Sequence, residues 1–342
     1  MNVIFASDNN YVPLLTISIV SFLVNNEKEF SEINIFILDD GISEYNKNKI
    51  SKILDEYSCN ISFIKTKKIE ELNFKVSSLE RNNISSLTTY SRLFISSLLP
   101  KDIDRILYLD CDSLIVDSFK QLWEEDISNY YCAGVLDCCS TEIQKMLGIF
   151  EEDNYINAGV LYINLKKWRE DNVEEKFIEF IANNQNRYYQ HDQGIINNVF
   201  KNKIKIISPK YNLQQYFQYM PYNISKKFSC IETKHYSKKI MDESRENPVF
   251  LHFCAANVFR PWHNPNHPYA ELYQYYAKLA NFESVIDYSE NFNSKLTLFH
   301  KLSKNKIGNL ILDLTPYFLV KKVVNKTAIK EMEIEFEKVK QN

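Results

Sequence analysis

The sequence predicts an α/β protein: a mostly parallel central sheet flanked by helices, continued by a basic, amphipathic helical C-terminal tail. Three observations carry that reading. Short and almost wholly apolar runs such as "NVIFA" and "RILYL" alternate with stretches of helical character, as strands buried on both faces do. Polar residues gather where those runs end, and in open α/β sheets that edge is where ligands bind. The C-terminal stretch then changes composition and becomes rich in lysine.

Residues 2–6 form the first strand, ending in Ser7-Asp8-Asn9-Asn10. Pro13 comes next at an early helical position, where its fixed φ and missing N–H are harmless, ahead of "LLTISIVSFLV". Residues 33–39 are a second strand; Gly41 turns the chain and Ser43 is placed to cap the helix "EYNKNKISKILDEY". "NISFIK" (60–65) is a third strand, a helix spans about 84–98 up to Pro100, and "RILYLD" is a fourth strand. Further strands are expected at 131–137, 156–165 and 249–253, with helices over 166–183 and from 190 to 200. Residues 208–248 are Tyr-rich and show no clear pattern.

The chain is 342 residues long, enough for one large core with an appendage; the division expected is 1–280 and 281–342. A net charge of −3 argues against nucleic acid as a partner, because phosphate neutralisation needs clustered Lys and Arg. Seven cysteines with no CxxC pair indicate a reducing compartment rather than a disulfide framework. "MNVIFASDNN" lacks the basic and apolar regions of a leader, and no run approaches the length of a membrane span. From 301 to 330 there are seven lysines against one aspartate, interleaved with "NLILDLTPYFLVKKVV". Such a segment suits a membrane interface or, equally, an ordinary helical surface packed through its apolar residues.

The chemistry concentrates in "RILYLDCDSL". Asp110 and Asp112 stand one residue apart at a strand end, two hard oxygen ligands for Mg²⁺ or Mn²⁺. A turn after a strand would be the plainer reading. His252 in "FLHFCAANVFRPW" is the third ligand candidate, although a core histidine with one hydrogen bond would look the same. Two carboxylates with an imidazole favour Mn²⁺ over Mg²⁺. Arg260 is placed to hold a phosphate oxygen. No GxGxxG, Walker lysine or GxSxG exists, and with six glycines in the chain a glycine-rich phosphate cradle is excluded. Cys111, between two carboxylates, would be a poor thiolate.

The ordered set "FASDNNYVPLLTISIVSF", "ISSLTTYSRLFISSLLP", "RILYLDCDSLIV", "YINAGVLYINLKKW", "QHDQGIINNVF" and "HFCAANVFRPWHNP" resembles glycosyltransferase family 8 over roughly residues 1–280, particularly bacterial lipopolysaccharide α-galactosyl- and α-glucosyltransferases. The resemblance implies a GT-A fold, a Mn²⁺-dependent enzyme and retention at the anomeric carbon. It implies that Ala6, Asp8, Asn10 and Tyr11 meet the uridine, that Asp110, Asp112 and His252 hold the metal with Cys111 as spacer, and that Arg92 contacts the nucleotide-sugar side of the site. By the same resemblance Asn157 and Ala158 lie in a sugar-binding turn, Asp192 holds sugar hydroxyls, Gln193 stands near the anomeric carbon, and Asp137 is a further acid near the sugars. The departure is "HFCAANVFRPW": the turn is two residues longer than usual, with Ala255 for Gly and Arg260 for Lys. Arginine keeps the charge but changes hydrogen-bond geometry.

The resemblance also implies transfer of a hexose from UDP-galactose or UDP-glucose to a saccharide acceptor, expected to be lipid-linked. The enzyme would be cytoplasmic and peripheral at the inner face of the membrane, attached through its lysine-rich tail. Other readings are a family member acting on a protein or another glycan, and a non-catalytic nucleotide-sugar-binding protein.

Overall fold

The computed structural model describes residues 1–66, 86–150, 153–184, 191–232, 234–254, 257–289, 294–324 and 326. Its strands are β1 (Asn2–Asp8), β2 (Asn34–Asp40), β3 (Asn60–Lys65), β4 (Arg105–Leu109), β5 (Ser113–Ile115), β6 (Cys132–Leu136), β7 (Ile156–Asn164), β8 (Ile204–Ile206), β9 (Leu213–Gln214) and β10 (Phe250–His252). Seven of them form one sheet in the order β3-β2-β1-β4-β7-β6-β8, and β5, β10 and β9 form a small second sheet.

The large sheet is mixed rather than simply parallel, because β7 runs antiparallel to both β4 and β6. The chain leaves β6 at Asp137 and re-enters the sheet at Ile156 from the same edge. That reversal has a functional consequence: the start of β7, with Asn157 and Ala158, lies at the edge where β4 and β6 end. Between Gly134 and Val135 the pairing with β7 skips from Leu161 to Asn157, so Ala158–Val160 bulge out of register. Bulges of this kind re-aim side chains next to sites.

Helix α1 (Val12–Asn26) is buried on nearly every face, as its all-round apolar sequence requires. Its few polar groups are spoken for. Ser18 Oγ lies 2.8 Å from Ser113 Oγ, Ser21 Oγ accepts from Ile115 N at 3.0 Å, and Asn26 Oδ1 accepts from Phe119 N at 2.8 Å. These bonds pin the small sheet, and hence β10, against the body. In helix α2 (Glu44–Leu54) Ser43 caps as expected, accepting from Asn46 N.

The residues of β1 alternate between two core clusters. Val3 and Phe5 join Phe22, Phe119, Phe250 and Trp262 on one side. Ile4 joins Tyr108, Trp168, Phe177 and Phe200 on the other. The result is a sheet covered on both faces.

Two expected helices are broken. The one anticipated over 84–98 is a helix Ser86–Tyr90, a 3-10 turn Ser91–Phe94 and a last turn Ile95–Leu98, with 84–85 outside the described residues. The one over 166–183 splits into Leu165–Glu170 and Val173–Asn184 at Asn172, whose φ is +49°. The unpatterned 208–248 region holds β9, short 3-10 turns and the helices Tyr222–Phe228 and Lys238–Glu246.

The C-terminal region forms helices Ser294–Ser303 and Lys306–Leu314, with further helical turns over 317–324. Leu312 packs on Met220 and Ile224, and Lys227 Nζ donates to the carbonyls of Leu312 (3.1 Å) and Asp313 (2.6 Å), neutralising that helix end. The rest of the tail, 327–342, lies outside the described residues. Among the described residues no helix is long and apolar enough to cross a membrane.

Candidate active site

Asp110 and Asp112 sit in the tight link between β4 and β5, not in a continuing strand. Ser113 Oγ donates to Asp110 O at 2.8 Å, Asp110 N donates to Gly159 O at 2.9 Å, and Phe253 N donates to Asp112 O at 2.9 Å. The last bond ties the acidic loop to the end of β10, where His252 pairs with Ser113 on one side and Gln214 on the other. His252 Nε2 thereby stands 3.2 Å from Asp112 Oδ1 and 3.6 Å from Asp110 Oδ2. Ligating atoms of these three residues all lie within 4.8 Å of one another. His252 is no ordinary core histidine. Its Nδ1 is 3.0 Å from Asn212 Oδ1, which sets the ring's orientation and leaves Nε2 to face the carboxylates.

The electrostatics suit a cation. Burial works against charge on His252, yet Cys254 and Asp112 hold its pKa well above the ordinary value. Burial also pushes the Asp112 carboxyl up, but His252 and Arg260 outweigh it and hold the pKa below normal. To hold a metal, His252 would bind as the neutral imidazole and Asp110 and Asp112 as carboxylates, since metal ligands must be deprotonated.

Arg92 organises the neighbouring carboxylates. It is 4% exposed; Nη2 donates to Asp110 Oδ1 at 2.9 Å, Nη1 to Ala158 O at 2.7 Å, and Nε to Thr89 O at 3.1 Å. Nε also stands 2.9 Å from Asp192 Oδ2, and the guanidinium carbon lies 4.1 Å from the centre of the Tyr108 ring. Burial opposes its charge, but Asp110 and Asp192 together raise its pKa. Asp192 opens the helix His191–Val199, where the helix dipole favours an anion. Burial pushes its pKa up while Arg92 pulls it down, and the net direction is up. Asp192 Oδ2 receives no hydrogen bond among the described residues. A buried carboxylate oxygen with an ion-pair partner and an unused acceptor site is placed to take a hydroxyl.

Gln193 is fully engaged. Its Oε1 accepts from Ala158 N (3.0 Å) and Asn157 Nδ2 (3.3 Å), and its Nε2 donates to Asp137 Oδ2 (3.2 Å) and Tyr155 OH (3.0 Å). Asn157 Nδ2 donates to the same Asp137 oxygen at 2.8 Å. Burial raises the Asp137 pKa despite these bonds.

At the end of β1, Asp8 Oδ1 accepts from the backbone N–H groups of Asn10 (2.8 Å) and Tyr11 (2.9 Å). Asn10 and Tyr11 are exposed, and Ala6 is half-buried. Cys111 is more than a spacer: buried, it donates through Sγ to Ala6 O at 3.3 Å, linking the acidic loop to β1. Burial, then the flanking Asp110 and Asp112, push its thiol well above the ordinary pKa. Arg260 Nη1 donates to Asn257 Oδ1 at 3.2 Å, and its charge acts on both Asp112 and Tyr11. Ala255 lies outside the described residues.

Five contributors were missed by sequence reasoning. Asn212 bridges the two halves of the site, donating to Asn157 Oδ1 at 2.8 Å while facing His252. Gln218 Nε2 donates to His252 O at 2.8 Å, and Tyr155 and Tyr108 contact Gln193 and Asp110 through their hydroxyls. The types of these four residues carry no chemical signature of their own. Gly159 had a signal, since it is one of six glycines: a Cβ there would stand 2.2 Å from His252 Cε1.

Known proteins place this geometry. The model of "Glycosyl transferase family 8" matches residues 2–265. The chain belongs to glycosyltransferase family 8. A Haemophilus influenzae protein assigned as a glycosyltransferase is 33% identical over 267 residues, 77% of this chain and 73% of its own length. The lipopolysaccharide 1,2-glucosyltransferase of Escherichia coli is 28% identical over 268 residues, again 77% and 73% of the two chains. Among solved structures, the galactosyltransferase LgtC with donor and acceptor sugar analogs superposes with a TM-score of 0.64 at 26% identity, covering 82% of this chain and 95% of that one. This family 8 enzyme therefore has a GT-A-like domain and transfers a sugar from a nucleotide-sugar to a glycan acceptor, with Asp110, Asp112 and His252 as the candidate cluster for an assisting metal.

Proposed function

We propose that the enzyme moves galactose or glucose from its UDP-sugar to a saccharide acceptor, with retention of anomeric configuration and with Mn²⁺ preferred over Mg²⁺. The observation that carries the reading is the pairing of an Asp-Asp-His set with a separate buried carboxylate, Asp192, whose Oδ2 is ion-paired with Arg92 yet accepts no hydrogen bond among the described residues. A cation held by Asp110, Asp112 and His252 supplies charge neutralisation for the departing diphosphate. Arg260 adds positive charge on the same side. Asp8, Asn10, Tyr11 and Ala6 form the uridine end. Asp192, Asn157 and Asp137 orient the sugar hydroxyls as the ring becomes oxocarbenium-like, and Arg92 keeps Asp110 and Asp192 paired while they do so.

Retention then comes from attack on the leaving-group face, with a phosphate oxygen of the departing UDP accepting the acceptor's proton. Gln193 is a poor nucleophile: a neutral amide whose oxygen already accepts two hydrogen bonds. Slow, Mn²⁺-dependent hydrolysis of UDP-galactose or UDP-glucose, with the N-acetyl sugars as controls, tests the reading, and NMR of the released sugar reports the anomer. No hydrolysis of any UDP-sugar, or an inverted product, would overturn it.

The acceptor is lipid-linked and the enzyme works at the cytoplasmic face of the membrane. Support comes from exposed Ile307, Leu310, Ile311 and Leu314, which form one helical stripe, and from exposed Phe318 and Val323 beside Lys306, Lys322 and Lys326.

A further inference from the structure

The helix Ser294–Ser303 meets the catalytic body through a cluster of rings. Phe259 is buried, with its ring edge-on to His300 (centroids 5.6 Å, 77°) and to Phe299 (6.3 Å, 76°). Phe299 continues to Phe228 at 4.8 Å. Tyr219 packs edge-on against both His267 (5.7 Å) and His300 (5.8 Å), and its hydroxyl is 3.2 Å from His300 Nδ1. The two imidazoles lie nearly parallel, 6.4 Å apart.

Two members of this cluster lead straight to the site. Phe259 ends the 3-10 turn Asn257–Phe259 and immediately precedes Arg260. That turn is stapled locally: Arg260 N donates to Asn257 O at 2.9 Å, and buried Asn264 donates through Nδ2 to Val258 O at 2.6 Å. Its large apolar anchor, Phe259, reaches out to the C-terminal helix. Tyr219 in turn comes directly after Gln218, which holds the carbonyl of His252.

We propose that the helix Ser294–Ser303 positions the nucleotide-sugar site: by clamping Phe259 and Tyr219 it sets where Arg260 stands against Asp112 and Tyr11. Diphosphate affinity then depends on docking of the C-terminal helices, with Phe299 and His300 as positioning residues that never touch the substrate. This rests on the reading of Arg260 as a diphosphate ligand. The next helix is locked to the same unit, since a Cβ on Gly308 would stand 2.1 Å from Leu302 O. The exposed stripe of Ile307, Leu310, Ile311 and Leu314 is therefore rigidly joined to the brace.

The test is UDP binding to the full chain with Mn²⁺, measured by titration calorimetry, in a double-mutant cycle. Arg260→Ala should weaken UDP at least about tenfold, the scale of a charge-assisted hydrogen bond to phosphate. Phe299→Ala should weaken it about tenfold, and the double variant should bind no worse than Arg260→Ala alone. Phe299→Leu serves if the alanine form does not fold, and His300→Phe, which keeps a ring against Phe259, should retain wild-type affinity where His300→Ala does not. Independent, additive losses, or unchanged affinity on truncating Phe299, overturn the brace alone. A wild-type protein that does not bind UDP overturns the donor reading, and this inference with it.

Discussion

Substituting Gly159 by alanine tests the metal site without removing any ligand. An added Cβ would lie 2.2 Å from His252 Cε1, 2.7 Å from Nδ1 and 2.9 Å from Asn157 Oδ1. Ordinary carbon contacts begin near 3.4 Å, so the imidazole must retreat by roughly 1.2 Å, and it has little room. His252 is 1% exposed and held by Asn212 behind and Asp112 in front, at 3.0 and 3.2 Å. A displacement of about 1 Å in a positioned catalytic group costs on the order of 10²-fold in rate. Overpacking of this kind also costs about 1–3 kcal/mol of stability. The expected result is a loss of Mn²⁺ affinity by titration calorimetry and a fall in UDP-sugar turnover of about a hundredfold, in a protein that still folds. Gly134→Ala is the control. Its Cβ would meet the flexible Cδ1 of Ile156 at 2.5 Å, costing stability while sparing the metal. Wild-type Mn²⁺ affinity in Gly159→Ala would refute the claim that His252 is a metal ligand in the position it holds beside Gly159.

Other outcomes are expected from the same geometry. Arg92→Met strips the ion-pair partner from Asp110 and Asp192 and should cost about 3–5 kcal/mol in denaturant unfolding, the cost of breaking a buried pair; a loss below about 1 kcal/mol would show the pairing to be incidental. Acid should weaken the C-terminal docking. Burial and then the charge of His300 and Lys304 lower His267 to about 3, and burial and Lys304 lower His300 to about 4, although the Asn266 backbone favours the charged form of the latter. Both stay neutral when folded, so their contribution is complete above the unfolded value of 6.5 and is lost as pH falls toward those pKa values. At about pH 5 that amounts to up to about 2 kcal/mol per histidine, and His300→Phe should remove one such share from the difference between urea melts at about pH 7 and pH 5. An unchanged difference would exclude His300 as a contributor. Replacing Ile307, Leu314 and Phe318 by serine should abolish co-sedimentation with anionic vesicles while leaving hydrolysis of UDP-sugar in solution intact; persistence of vesicle binding would move the contact elsewhere.

The alternation of apolar strands with helices, and the placing of Asp8, Asp110 and Asp112 at strand ends, were legible because buried strands and polar termini are local patterns. Ser43 and Pro13 announced their helices for the same reason. Asp110, Asp112 and His252 were readable as chemistry, since residue type and spacing limit what such a set can bind. The direction of β7 was not. Nothing in "YINAGVLYINL" says which way the strand runs, because strand direction depends on how the chain returns after Asp137.

By itself, then, the amino-acid sequence determined the alternating architecture, the metal-ligand types and the lysine-rich tail, all of which depend on neighbours a few residues apart. Tertiary structure alone decided that Asn212 orients His252, that Arg92 holds Asp110 and Asp192 together, and that Phe299 and His300 press on the turn bearing Arg260. These are contacts between segments far apart in the chain, made by Asn, Arg, Phe and His residues whose type has many uses. Only the packing that brings the segments together assigns them one.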